Sequence, residues 1–100
     1  MVQVIENWAY LVGRVGPLAS APGSGWGSGR AGTIDVEEVR DIEGWPNLLS
    51  RFAGGPLSVR VPEAVLTRWR EGRRMVLRAR VGGPGTVWVS ADPEDLQFAD

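Results

Sequence analysis

Leu57-Ser58-Val59-Arg60-Val61-Pro62-Glu63-Ala64-Val65-Leu66-Thr67-Arg68-Trp69-Arg70-Glu71-Gly72-Arg73-Arg74-Met75-Val76-Leu77-Arg78-Ala79-Arg80-Val81 changes its hydrophobic period twice. Residues 57–61 alternate apolar and polar at period two, as a half-buried strand does. Pro62 then stands where a first helical residue belongs, and Glu63 suits the positive end of a helix dipole. Val65, Leu66 and Trp69 share one helical face, Arg68 and Arg70 fall in the last turn, and Gly72 is the stop signal. This spacing predicts a helix over 62–71. From Arg74 to Val81 the period returns to two, with Met75, Leu77, Ala79 and Val81 facing in and Arg74, Arg78 and Arg80 facing out.

Working outward from this strand–helix–strand unit, Gly82-Gly83-Pro84-Gly85 reads as a tight turn and Thr86-Val87-Trp88-Val89-Ser90 as the second arm of a hairpin. Residues 92–98 follow as a short appendage whose Leu96 and Phe98 are expected to pack back. Upstream, Trp8-Ala9-Tyr10-Leu11-Val12-Gly13-Arg14-Val15 is rich in β-formers. Gly13 marks a bulge or bend, and Gly16-Pro17 is expected to end the strand. A Gly/Ser/Pro loop fills 16–32. Thr33-Ile34-Asp35-Val36-Glu37 alternates as a second strand, with Asp35 and Glu37 outward. The connection over 41–55 opens with Gly44-Trp45-Pro46, and Leu48, Leu49 and Phe52 have the spacing of one helical turn.

The order is three strands, a helix and two strands. It matches a five-stranded Greek-key barrel of the OB type, with the helix between strands three and four. All 100 residues form a single domain of common size. The fold class is all-β with one helix.

Composition narrows the chemistry. The chain has no Cys and no His, and all 11 of its basic residues are Arg. It therefore lacks an imidazole base, a thiolate, a Schiff-base lysine and the ligands of an ordinary zinc site. No catalytic residue, metal site or cofactor is expected. Met1–Asn7 has neither the basic nor the apolar region of a signal peptide, and no run is long enough to span a membrane, so a cytoplasmic protein is the expectation. The net charge of −1 hides an asymmetry: residues 1–50 sum to −3, residues 51–91 to +6, and residues 92–100 to −4.

Tyr10-Leu11-Val12-Gly13-Arg14-Val15 resembles the opening strand of bacterial single-stranded DNA-binding proteins, and Leu57–Val81 resembles their third strand, helix and fourth strand. The resemblance covers about a third of the chain and implies an OB fold that stacks bases on aromatics in a basic groove. Carried over by position, it points to Arg14. The chain departs from that family where Asp35 and Glu37 face outward on strand two and would repel phosphate. The sequence stops at Asp100, right after its last expected structured residues, so its last four acids are expected to lack that family's disordered linker.

Gly27-Ser28-Gly29-Arg30-Ala31-Gly32 has the glycine spacing of a dinucleotide-binding turn, but it leads into a strand rather than opening a helix, so it reads as a loop. Trp26 and Arg30 within it could clamp a ligand. Asp35 and Glu37 read as a solvated face, and Asp92-Pro93-Glu94-Asp95 as a turn or helix start. Trp69 reads as core, and Trp8 and Trp45 as packing anchors. Trp88 falls outside if Val87 and Val89 face the core. In an OB barrel strand five lies between strands three and four, so Arg60, Arg78 and Arg80 would flank Trp88. That arrangement suits base stacking with phosphate contacts, a protein interface, or arginines folded over a tryptophan to cover it.

The expected function is a non-catalytic module binding single-stranded DNA or RNA, through Arg14, Trp26, Arg30, Arg60, Arg78, Arg80 and Trp88. A protein-interaction or assembly domain is the alternative, and a homo-oligomer is left open.

Overall fold

The computed structural model describes residues 5–19, 29–82 and 86–99. Six strands form its sheet: β1 (Ala9–Leu18), β2 (Arg30–Asp41), β3 (Gly55–Val61), β4 (Arg74–Val81), β5 (Val87–Val89) and β6 (Leu96–Phe98). The order is β1-β2-β3-β5-β4, and β4 pairs back onto β1, which closes a five-stranded barrel. All pairings are antiparallel except β3–β5. β3 and β5 meet at the single pair Arg60↔Trp88, and β6 adds to β4 beside β5.

Alternation sets the core. Leu11 and Val15 of β1, Ile34 and Val36 of β2, Val59 and Val61 of β3, Met75, Leu77, Ala79 and Val81 of β4, and Val87 and Val89 of β5 are buried together. β1 must bend to close the barrel, and it does so at Gly13. The register with β2 slips between Val12 and Gly13, and a Cβ on Gly13 would lie 2.0 Å from the Asp35 carbonyl oxygen. Only a glycine lets the strands approach this closely.

Several expectations are revised. Gly16-Pro17 does not end β1. The strand passes through a second irregularity and pairs again at Leu18↔Gly32. Proline lacks an N–H, and a register slip is where a strand tolerates that loss. The tail is more than an appendage, because β6 pairs with Met75–Leu77; Leu96 is buried while Phe98 is exposed under the Arg73 guanidinium. Of the turn read over 82–85, residues 83–85 lie outside the described residues. The Gly82 N–H donates to the Thr86 carbonyl at 2.9 Å across it. The single turn read near Phe52 is a short 3₁₀ segment, Ser50–Phe52.

The helix read over 62–71 is a six-residue 3₁₀ helix, Glu63–Arg68. Its bonds run from Val65 N–H to Pro62 C=O at 3.1 Å and from Trp69 N–H to Leu66 C=O at 3.2 Å. Tertiary demands stop it early. Trp69 is extended, sends its ring into the core and donates its indole N–H to the Gly16 carbonyl at 2.8 Å. Gly72 N–H, which a continuing helix would use internally, instead donates to Val15 C=O at 2.8 Å. Burying one large side chain and tying the loop to β1 outweighs a few residues of helix propensity, worth under about 1 kcal/mol each.

Candidate nucleic-acid interface

Cross-strand partners share a face, so the register assembles the outer surface row by row. Ala9 pairs with Ala79, which puts Trp8, one residue earlier, opposite Arg80. Arg80 pairs with Trp88, and Trp88 with Arg60. One row therefore reads Trp8, Arg80, Trp88, Arg60 across β1, β4, β5 and β3. Two residues along, Arg40 pairs with Tyr10 and Tyr10 with Arg78, and the Arg78 carbonyl accepts from Ser90 N–H at 2.8 Å. Aromatic and arginine columns thus alternate across the barrel.

The guanidiniums lie over the rings at cation–π distance. The Arg60 guanidinium lies 5.5 Å from the Trp88 ring centre, and those of Arg78 and Arg80 lie 4.7 and 5.8 Å from the Trp8 ring centre. All five side chains are half-buried. Arg78 Nε is buried without a hydrogen-bond partner, on the side chain whose guanidinium lies over Trp8. The Trp88 ring lies against Gly82, where a Cβ would sit 2.7 Å from the indole Cδ1. A glycine at 82 lets that indole lie down on the sheet rather than stand away from it.

The phase read for strand five is right: Val87 and Val89 are buried and Trp88 is not. Arg60 and Arg80 flank Trp88 as expected, whereas Arg78 lies one row away, over Trp8. Arg14 does not join them. It pairs with Arg74, six residues before Arg80 on β4, about 20 Å away at ~3.3 Å per residue, and its guanidinium donates to the Gly72 carbonyl. Arg30 is also separate: it pairs with inward Val61 whereas Arg60 pairs with Ala31, so Arg30 and Arg60 stand on opposite faces of the β2–β3 ladder. Trp26 lies outside the described residues. Of the glycine-rich motif, residues 29–32 are described, and they run into β2.

Two residues of the face were missed. Trp8, read as a packing anchor, is a platform for two guanidiniums, and Tyr10 stands between Arg40 and Arg78. The signal was present: with Ala9 and Leu11 inward, period-two alternation puts Trp8 and Tyr10 outside. Trp45, the other expected anchor, is exposed, in the loop whose Pro46 carbonyl accepts from Trp8 N–H at 3.2 Å.

Acids border the face. Asp35, Glu37 and Glu38 are exposed on β2; Glu37 pairs with Arg74 at 2.8 Å and Glu38 with Arg40 at 3.0 Å. These pairs neutralise the seam between the acidic strand and the arginine columns.

No family model, curated protein or solved structure matches this chain. Among the described residues, no helix is long and apolar enough to cross a membrane. The residues themselves define a small closed β-barrel of OB type with a Trp/Arg outer face.

Proposed function

We propose that this chain is a non-catalytic module that binds single-stranded nucleic acid, DNA or RNA, on the outer face formed by β1, β4, β5 and β3, and that it works in the cytoplasm. One observation carries the reading: the Trp8–Arg80–Trp88–Arg60 row alternates stacking platforms with cations. A single strand alternates π-faces with phosphates, and base–aromatic stacking tolerates any sequence. Arginine serves both partners, because its guanidinium also stacks on bases. The resemblance to bacterial single-stranded DNA-binding proteins supports the same reading on fold.

Titration of a fluorescent oligonucleotide at two salt concentrations tests it. Trp88→Ala should weaken binding by about 1–3 kcal/mol through lost stacking. Arg60, Arg78 and Arg80 offer at most three phosphate contacts, so the log–log salt slope should be no steeper than about −2, and Arg78→Gln with Arg80→Gln should flatten it by about 1.4. No binding at micromolar protein in low salt, or binding indifferent to all three substitutions, would refute the reading.

A second reading, protein interaction, has one observation in its favour. Ile5, Trp45 and Leu48 are exposed at 68%, 37% and 39%, and the hydrogen bond from Trp8 N–H to the Pro46 carbonyl holds their two segments together. Such anchors suit a protein interface. Binding of a protein partner with little salt dependence would favour it.

A further inference from the structure

The Trp/Arg face is wide but short, and its dimensions restrict what it can hold. Along the strands it spans only two rows, because the next row is Glu38, Val12, Val76 and Gln97. A small pocket there also places Glu94 and Asp95 beside Tyr10 and Val76. In the other direction, exposed Glu6 lies two residues before Trp8, at the alternation that shares its face. A phosphate backbone running along β1 or β4 would meet carboxylates at both ends. Across the strands the row holds no acid, and three strand spacings of ~4.8 Å give about 14 Å from Trp8 to Arg60. That is about four stacked steps of ~3.4 Å, and side-chain reach at the two ends allows about six nucleotides.

We infer that the interface takes a short segment of single strand, about six nucleotides or fewer, laid across the strands from Trp8 to Arg60. The inference rests on the nucleic-acid reading above. Bases stack at Trp8 and Trp88, a phosphate sits at Arg80 between them and another at Arg60, and Arg78 approaches from the neighbouring row. The chain then holds a local stretch of strand rather than wrapping a long one.

Oligothymidylates of two to twenty nucleotides, titrated at low salt and corrected for the number of binding registers, measure the footprint. Affinity should climb to about six nucleotides and stay flat beyond. Trp8→Ala and Arg60→Gln act at opposite ends of the row, and each should move the plateau to a shorter length. Trp8→Ala should also weaken binding of the longest oligomer by about five-fold or more. Should Trp8→Ala not fold, the wild-type length series and Arg60→Gln decide the matter. A corrected affinity that rises ten-fold or more between six and twenty nucleotides would overturn the short footprint. A plateau unmoved by Arg60→Gln would overturn the crossing direction. Absence of binding at every length would remove the parent reading together with this one.

Discussion

Asn7 is a buried polar residue that the barrel uses in place of backbone. Extending the Ala9↔Ala79 register puts it opposite Val81, at the end of β4. Its Nδ2 donates to the Val81 carbonyl at 2.9 Å and its Oδ1 accepts from the Val81 N–H at 2.9 Å; Nδ2 also donates to the Ile5 carbonyl at 2.8 Å. The residue is fully buried. Asn7→Ala leaves the Val81 N–H and C=O without this partner. Each unsatisfied buried group costs about 1–3 kcal/mol, so the pair costs about 2–6 kcal/mol, with water entry at the barrel end favouring the lower half. That is a large share of the ~5–15 kcal/mol that holds such a domain together. At about 4–8 °C per kcal/mol, a 3 kcal/mol loss lowers Tm by roughly 12–24 °C. Asn7→Asp sharpens the test. Its carboxylate can accept from Val81 N–H but faces the Val81 carbonyl with lone pairs and carries a buried charge. Folding must therefore raise its pKa above the unfolded value of about 3.9. The folded state then binds the extra proton, so the defect is full above the folded pKa and is relieved as pH falls toward about 3.9, where the carboxyl O–H can donate to Val81 C=O. Chemical denaturation of both variants and wild type at pH 7 and pH 4.5 measures this, with hydrogen exchange at Val81 as the local readout. Asn7→Ala within about 0.5 kcal/mol of wild type, or Asn7→Asp as stable as wild type at pH 7, would refute the argument.

Gly13→Ala forces a methyl group to within 2.0 Å of the Asp35 carbonyl oxygen, so the β1–β2 bulge must open; a stability loss at or above the ~1–3 kcal/mol typical of overpacking should appear in urea unfolding. Trp69→Ala should cost about 3–5 kcal/mol, whereas Trp69→Phe keeps an aromatic ring, loses the bond to Gly16 C=O and should fall well short of that; calorimetry separates the two.

How much could be read in the sequence follows from which forces act locally. Strand alternation is local: Met75, Leu77, Ala79 and Val81 are buried as read, and the phase of Trp88 between Val87 and Val89 holds. Gly13 was legible because no other residue suits a bulge at that approach. The 62–71 segment was misjudged because its fate was settled by partners distant in sequence. Gly16 C=O takes the Trp69 indole N–H and Val15 C=O takes the Gly72 N–H, more than fifty residues away. β6 was missed because Leu96-Gln97-Phe98 is too short to show a period; only the free side of β4 makes it a strand. At the site, alternation put Arg60, Arg78, Arg80 and Trp88 on the outer face, and the strand order of an OB barrel brought their strands together. Alternation from Ala9 and Leu11 put Trp8 outside as well, but its partner was not legible, because the Trp8–Arg80 pairing depends on a register that only the closed barrel supplies.

The arginines lying over the tryptophans do not argue against a ligand on the same face, and magnitudes show why. A guanidinium over a half-buried indole is worth about 0.5–2 kcal/mol. A base stacked on the same ring is worth about 1–3 kcal/mol. Exchanging the one for the other is close to even, and the displaced guanidinium is not stranded: the phosphates that arrive with the bases form stronger, charge-assisted hydrogen bonds with it, and these tip the balance toward the ligand. Arg60 over Trp88, and Arg78 and Arg80 over Trp8, are therefore the ligand-free arrangement of the proposed interface. In that state each guanidinium covers an apolar ring that would otherwise face water, and holds its charge close to where a phosphate would lie. A net charge of −1 gives the whole chain no long-range pull on a polyanion. Attraction has to be local, at β3, β4 and β5, where the row from Trp8 to Arg60 carries no carboxylate.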